Sequence, residues 1–178
     1  CKPAYCFPSQ KTVIDISVNL STKFIDYNPT GVIVVGSYTI GKERIFTAIS
    51  EALDCKIYVT SEKRQILSCL EDEQLLGRLT SNPREARVHV LPMQKLNYKG
   101  LSEYLLQWSF DEVLAFEPTG WTYSQRSSEI KPKFSKNNVT LYGIPYSEHS
   151  SFDEMKNFVR HLRPDSIVPT VNNTNRQC

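Results

Sequence analysis

A glycine-flanked turn in the first quarter of the chain has the spacing of a phosphate-binding loop. Residues 36–42 read Gly-Ser-Tyr-Thr-Ile-Gly-Lys and separate an apolar run from a segment with helical spacing. Backbone N–H groups at the start of a helix suit phosphoryl oxygens, including those of a nucleic-acid backbone. We therefore predict a phosphate or DNA site formed by Ser37, Thr39, Gly41 and Lys42. The alternative is that the two glycines only make a tight turn between a strand and a helix.

The same turn departs from the nucleotide-hydrolase pattern at its last position. The pattern GxxxxGK[ST] ends in a hydroxyl that holds Mg²⁺, whereas this chain has Glu43 after Lys42. A carboxylate at that position would lie close to the nucleotide phosphates. The sequence therefore disfavours an ATPase or GTPase but leaves the affinity of the turn for phosphate open.

A second candidate group follows a predicted strand at residues 113–116. Thr119 and Trp121 belong to a Pro-Thr-Gly-Trp run that opens residues 117–138, a segment rich in Pro, Gly, Ser, Thr and Lys. We interpret this segment as a basic loop. An indole beside lysines can stack on a base, although a Trp after a strand also packs in cores. Thr119 and Trp121 are thus candidate DNA contacts, with packing as the alternative.

Histidines are few, and one of them has a distinctive position. The chain contains His89, His149 and His161 without any HxH, HExxH or HxxxH pair, so it does not supply a histidine-rich zinc site by itself. His89 lies in a predicted strand and His161 at a helix end, which favours structural roles. His149 lies on a turn between a strand and a helix, where open parallel sheets position functional groups. It is a candidate catalytic residue, although a lone histidine is also common as a structural residue.

The elements that must position these residues alternate between helices and strands. Ser61 is expected to cap a helix, and Ser151 with Glu154 forms a capping box before another. The alternation predicts an α/β fold with a mostly parallel sheet flanked by helices. The predicted helices cover residues 8–28, 41–53, 61–70, 101–108 and 152–162. The predicted strands cover residues 32–35, 57–60, 88–91, 113–116, 139–142 and 166–171.

Composition excludes several classes of protein. With 178 residues, 40% hydrophobic residues and only 7 glycines, the chain is long and apolar enough to fold around a core. A net charge of +2 is too small for nucleic-acid binding by bulk charge. Five scattered cysteines indicate a reducing compartment rather than a disulfide framework. No apolar run approaches the roughly 20 residues of a membrane span. The chain begins at Cys1, so we expect it to be a piece of a longer protein.

Four ordered motifs together carry a resemblance to a known family. The chain resembles the C-terminal part of the DNA cross-link repair nucleases, which are metallo-β-lactamase proteins of the β-CASP group. The resemblance implies that residues 1–138 are the inserted β-CASP cassette and that residues 139–178 are the C-terminal segment of the metallo-β-lactamase αββα fold. The motifs are Gly36-Ser-Tyr-Thr-Ile-Gly-Lys-Glu43, Pro118-Thr-Gly-Trp121, Pro145-Tyr-Ser-Glu-His-Ser-Ser151 and Val168-Pro-Thr-Val-Asn172.

The resemblance also implies roles for two residues. His149 is similar to the family's motif B histidine, which approaches the metal-bound scissile phosphate and is a possible metal ligand. Val171, twenty-two residues later, resembles motif C, which is valine in the DNA-processing branch and histidine in the RNA-processing branch. Val171 thus favours DNA over RNA. The family's remaining zinc ligands are expected upstream of Cys1, so we expect this chain to be inactive alone.

The function implied by the resemblance is a zinc-dependent 5′-to-3′ DNA exonuclease in interstrand cross-link repair. The implied partners are DNA with a 5′-phosphorylated end and other DNA repair proteins, the implied compartment is the nucleus, and no membrane association is expected. The alternative function is a non-catalytic DNA- or protein-binding module that lacks its own metal site.

Overall fold

In the computed structural model, which describes residues 8–120 and 130–168, helices and strands alternate along the chain. The helices are α1 (Gln10–Tyr27), α2 (Glu43–Ala52), α3 (Ser61–Ser68), α4 (Glu73–Arg78), α5 (Tyr98–Trp108) and α6 (Phe152–Leu162). The strands are β1 (Val32–Ser37), β2 (Lys56–Tyr58), β3 (Leu79–Thr80), β4 (Ala86–Pro92), β5 (Val113–Pro118), β6 (Pro132–Lys136) and β7 (Val139–Ile144).

The seven strands of the described residues form one sheet in the order β3-β2-β4-β1-β5-β7-β6. Every neighbouring pair runs parallel except β6 and β7, which are antiparallel. The α/β fold with a mostly parallel sheet flanked by helices is therefore confirmed.

The central strand β1 explains why its apolar run is unbroken. Ile33 and Val35 pack into one core cluster together with side chains of α1 and α2. Val32 and Val34 pack into a second cluster that includes side chains of α5. All four are fully buried, and burying each side chain contributes roughly 1.5–3 kcal/mol. A strand covered on both faces has no solvent side, so its sequence does not alternate.

Polar caps fix where most of the helices begin. Ser9 accepts a hydrogen bond from the Thr12 N–H at the start of α1. The cap of α3 is Thr60, which accepts from the Lys63 N–H at 3.2 Å, so the prediction that Ser61 caps this helix is wrong by one residue. Such a cap contributes about 1 kcal/mol. Helix α2 differs, because its N-cap residue Lys42 makes no side-chain cap.

The second half of the predicted basic loop is an ordered strand. Residues 132–136 form β6, which pairs with β7 through the two-residue turn Asn137-Asn138. Asn137 has φ 50, a left-handed conformation that asparagine tolerates. The prediction of a loop over residues 117–138 is therefore wrong at residues 117–118, which belong to β5, and at residues 132–136, because the cross-strand pairing overrides a polar composition. Residues 121–129 of that segment lie outside the described part of the chain.

The last predicted strand, at residues 166–171, is absent from the three of its residues that the structure describes. Residues 166–168 form no strand, and residues 169–171 lie outside the described ranges. Helix α6 begins and ends at the predicted residues. Helix α4 and strand β3 have no counterpart among the predicted elements.

His89 is a core residue of β4, as its position in a predicted strand indicates. Its ring is fully buried, with Nδ1 2.6 Å from the Tyr104 hydroxyl and Nε2 3.2 Å from the Ala86 carbonyl oxygen. Burial lowers the pKa of His89 to about 4, so the ring is neutral at physiological pH.

The described residues fall into two compact units that divide between Glu148 and His149. The first unit contains the whole sheet, including β7, and the second contains α6. The division lies ten residues beyond the predicted domain boundary at residues 138 and 139, and the assignment of the two segments stays a prediction. None of the helices in the described ranges is both long and apolar enough to cross a membrane.

Candidate nucleic-acid interface and active-site histidine

The parallel strands bring several sequence motifs to one edge of the sheet. Ser37 at the end of β1 is in register with Pro92 at the end of β4. Pro118 at the end of β5 is in register with Ile144 at the end of β7. The turn after β1, Thr119 and the segment after β7 therefore all lie at the carboxyl ends of the strands. Open α/β sheets bind their ligands at this edge.

The turn after β1 forms most of its hydrogen bonds within the protein. Ser37 is buried, and its hydroxyl donates to the Gly41 carbonyl oxygen at 2.8 Å. The Gly41 N–H donates to Glu43 Oε1 at 2.8 Å, and the Lys42 N–H donates to Glu148 Oε1 at 2.7 Å. Two carboxylates thus accept the N–H groups that the sequence assigns to a phosphate.

These contacts restrict the access of a ligand to the residues predicted to bind phosphate. Lys42 is only 6% exposed, and its ammonium contacts Glu148 Oε2 at 3.2 Å. Ser37 and Gly41 are buried as well, whereas Thr39 is exposed. The binding of phosphate by this turn stays a prediction, and Thr39 is the member of the set that solvent reaches most easily.

A lysine from α3, which the sequence reasoning missed, stabilises the same turn. Lys63 Nζ donates to Ser37 Oγ at 3.0 Å and to the carbonyl oxygens of Tyr38 and Thr39 at 2.9 and 2.8 Å. It also lies 3.6 Å from Glu43 Oε1. Burial lowers the pKa of Lys63, and the nearby Glu43 carboxylate opposes that shift. Glu43, which spoils the nucleotide-hydrolase pattern, is therefore part of the internal charge network of the turn.

A cavity of about 700 Å³ lies at the same edge of the sheet. Its lining combines an aromatic ring, hydroxyl and amide groups and two lysines, from Tyr38, Gln94, Thr119, Lys131 and Lys133. Glu117 also lines it and forms an ion pair with Lys133. Tyr38 and Gln94 also line a smaller cavity of about 320 Å³.

Thr119 lies where the sequence predicts, immediately after β5. Its N–H donates to the Ile144 carbonyl oxygen at 3.0 Å, and its side chain lines the larger cavity. Trp121 and Val171 lie outside the described residues, so their predicted roles as a DNA contact and as the DNA-specifying position stay predictions.

His149 is the first described residue of the second unit, and it is exposed. Two residues later Ser151 begins α6 with the predicted capping box. The Glu154 N–H donates to Ser151 Oγ at 3.2 Å, and the Ser151 N–H donates to Glu154 Oε2 at 2.7 Å. That second hydrogen bond lowers the pKa of Glu154. The backbone after His149 is therefore fixed by a helix start.

The described residues do not fit a metal centre by themselves. No group of three or more His, Cys, Asp or Glu residues with the geometry to hold a metal ion exists among residues 8–120 and 130–168. His149 can supply one imidazole ligand, whereas a catalytic zinc site needs three protein ligands and leaves its fourth coordination position open for water or substrate.

Comparison with known proteins gives a consistent result. Residues 73–175 match the family described as DNA repair metallo-beta-lactamase. The chain is 47% identical over 177 residues to the DNA cross-link repair 1A protein of Gallus gallus, covering 97% of this chain and 18% of that protein. It is 44% identical over 181 residues to the DNA cross-link repair protein SNM1 of Arabidopsis thaliana, covering 98% of this chain and 37% of that protein.

A more distant relative has a name that specifies a reaction. The chain is 29% identical over 175 residues to the 5' exonuclease Apollo of Rattus norvegicus, covering 96% of this chain and 28% of that protein. The chain thus spans well under half the length of each of these relatives. The family match covers more than half of the chain and includes the last three of the four ordered motifs. The chain belongs to the DNA repair metallo-beta-lactamase family.

Proposed function

We propose that this chain is part of a zinc-dependent DNA nuclease that hydrolyses phosphodiester bonds from the 5′ end during interstrand cross-link repair. The family match and the relatives named for DNA cross-link repair support a repair nuclease. The relative named as a 5' exonuclease supports the exonuclease reaction and its direction. Val171 supports DNA as the substrate. A role in the repair of DNA would place the protein in the nucleus.

The observation that carries the proposal is the arrangement of two features at one edge of the sheet. The lysine-lined cavity opens at the carboxyl ends of the strands, where Lys131 and Thr119 can contact phosphates and Lys133 is paired with Glu117. The segment after β7 starts at the same edge and leads directly to His149. The first unit would therefore contact the DNA backbone through this cavity, and Trp121 would add a stacking surface.

His149 is the residue of this chain that we assign to the chemistry. Its imidazole would ligate a metal ion or stabilise the scissile phosphate. In this enzyme class the metal supplies an activated water and neutralises charge on the phosphate. Because the described residues do not assemble a metal site, the other ligands would come from elsewhere in the protein.

The apolar face of α6 supports the proposed division into a cassette, residues 1–138, and a metallo-β-lactamase segment, residues 139–178. Met155, Phe158 and Leu162 share this face, and all three are exposed. A helix with one apolar stripe is stabilised mainly by packing that stripe against a partner. We assign that partner to the rest of the metallo-β-lactamase domain.

The test uses the full-length nuclease and its His149→Ala variant on single-stranded DNA with a 5′-phosphate. We expect kcat to fall by about 10²–10⁴-fold, the range for losing a positioned acid–base group, with little change in Tm. His161→Ala, which removes an exposed histidine from the end of α6, is the matched control and should retain activity. Normal turnover by His149→Ala would refute the assignment.

The DNA surface is tested separately in the same protein by Lys131→Ala. Losing one phosphate contact should reduce the magnitude of the log–log salt slope of DNA binding by about 0.7–0.9. Lys11→Ala, in the exposed first turns of α1, is the control. An unchanged slope for Lys131→Ala would exclude this cavity from the path of the DNA backbone.

The second candidate function is a non-catalytic DNA- or protein-binding module. The observation in its favour is that the described residues hold no three-ligand metal group. This candidate predicts DNA binding without hydrolysis in the full-length protein supplied with zinc. Hydrolysis that depends on His149 would exclude it.

A further inference from the structure

The three residues before His149 belong to the first unit and are held in place at successive positions. Tyr146 is 1% exposed, and its N–H donates to the Ile144 carbonyl oxygen at 2.8 Å. The Ser147 carbonyl oxygen accepts from Gln10 Nε2 at 2.7 Å. The Glu148 carboxylate accepts from both the backbone N–H and the ammonium of Lys42. The chain is therefore fixed up to the residue that precedes His149.

Lys42 has the surroundings of an internal cation rather than of a DNA contact. Its side chain is 7% exposed, whereas a lysine that meets a DNA backbone needs to reach solvent. Its Nζ lies 3.2 Å from Glu148 Oε2 and 5.1 Å from the centre of the Tyr146 ring. A buried ammonium is costly unless it has such partners. Both partners belong to the segment that leads to His149.

The turn is shaped to admit the Glu148 carboxylate. A Cβ on Gly41 would lie 2.5 Å from Glu148 Oε2, so any other residue at this position would displace the carboxylate. Gly41 also has φ +111, and Lys42 has φ 73. These conformations direct the Lys42 N–H towards Glu148 at the start of α2, where the helix dipole favours an anion.

We propose that Glu148 and Lys42 are positioning residues, and that their pairing fixes the peptide carrying His149 and so sets the orientation of its imidazole. The proposal rests on the proposed catalytic role of His149. It assigns Lys42 to positioning and not to direct contact with a DNA phosphate. Since small displacements of a catalytic group cost up to about 10²-fold in rate, breaking the pair should lower kcat.

The experiment compares Glu148→Gln, Lys42→Met and the double variant in the full-length nuclease. We expect each single variant to lower kcat by about 10–100-fold with KM within about two-fold. The double variant should lose no more than the worse single variant, because both changes break one contact. Lys11→Met, which breaks the exposed Lys11–Asp15 pair of the same 3.2 Å length, should leave kcat unchanged.

A salt series of DNA binding separates positioning from phosphate contact. Under the proposal the salt slope stays the same in Lys42→Met and Glu148→Gln. A slope reduced by about 0.7–0.9 in Lys42→Met alone would identify Lys42 as a phosphate ligand and overturn the proposal. Normal kcat in both single variants, with an inactive His149→Ala, would also overturn it.

Hydrogen exchange tests the Glu148–Lys42 pair without relying on activity. If His149→Ala is itself active, the proposed function fails, and hydrogen exchange then tests the pair independently. Glu148→Gln keeps the side-chain size at a position that is 41% exposed, so the fold should survive. Faster exchange at the amides of residues 42 and 148–150 supports the positioning role, and unchanged exchange contradicts it.

Discussion

Replacing Gly41 by alanine tests whether the turn depends on the close approach of Glu148. Alanine at φ +111 costs roughly 1–3 kcal/mol in backbone strain. Its Cβ would also displace the Glu148 carboxylate, whose hydrogen bond to the Lys42 N–H contributes roughly 1.5–3 kcal/mol as a charge-assisted contact. Because Glu148 is 41% exposed, we take the lower part of that range and expect a total loss of about 3 kcal/mol.

The assay is urea unfolding of the 178-residue chain followed by circular dichroism. Gly77→Ala is the matched control, because a Cβ on Gly77 in α4 meets no atom within 4 Å. That change should stabilise the chain by roughly 0.4–1 kcal/mol.

A double variant separates the two contributions. In a Glu148→Ala background the steric contact is absent, so Gly41→Ala should cost only the strain of roughly 1–3 kcal/mol. A cost for Gly41→Ala that is the same in both backgrounds would refute the close-approach argument. A cost no larger than that of a surface substitution would refute the strain argument as well.

Three further predictions follow from other parts of the structure. The pKa of His89 is about 4 in the folded chain and 6.5 in the unfolded chain, so the unfolded state takes up a proton first as the pH falls. The free energy of unfolding should therefore decrease by about 3 kcal/mol between pH 6.5 and pH 4. Urea unfolding of His89→Leu should lack this decrease, and an equal decrease in the variant would assign the effect to another group. The isolated chain should bind zinc no tighter than micromolar, and calorimetry with a competing chelator that finds tight stoichiometric zinc would contradict the proposed ligand arrangement. Ser151→Ala should cost α6 about 1 kcal/mol, which raises hydrogen exchange at residues 152–155 about five-fold, whereas Ser150→Ala should leave it unchanged.

Local patterns in the sequence were sufficient for the elements whose signals are contained within them. The capping box of Ser151 and Glu154 and the apolar spacing after it locate α6 to the residue. The unbroken β-branched run at residues 32–35 locates the central strand. In both cases neighbours along the chain determine the structure, so periodicity is informative.

Contacts between residues that are far apart in the chain cannot be predicted from local sequence patterns. The partner of Lys42 is Glu148, 106 positions later in the chain, and Lys63 contacts the turn from a separate helix. The glycine-flanked pattern correctly indicates a strand, a turn and a helix start, but it does not show that carboxylates of the same chain accept the N–H groups. Strand β6 was missed because its lysines and serine match a loop, and only pairing with β7 makes it a strand.

The two outer strands of the sheet affect how the chain behaves at high concentration. Exposed strand edges are templates for intermolecular pairing and aggregation. Within residues 8–120 and 130–168, one edge is β3, which is only two residues long, and the other is β6, which starts with Pro132 and carries Lys133 and Lys136. A short strand, a residue without an N–H donor and the positive charge of Lys136 all oppose the addition of another chain. Concentrated preparations should therefore resist growth into cross-β fibrils, even though the central strands are among the most β-prone in the sequence.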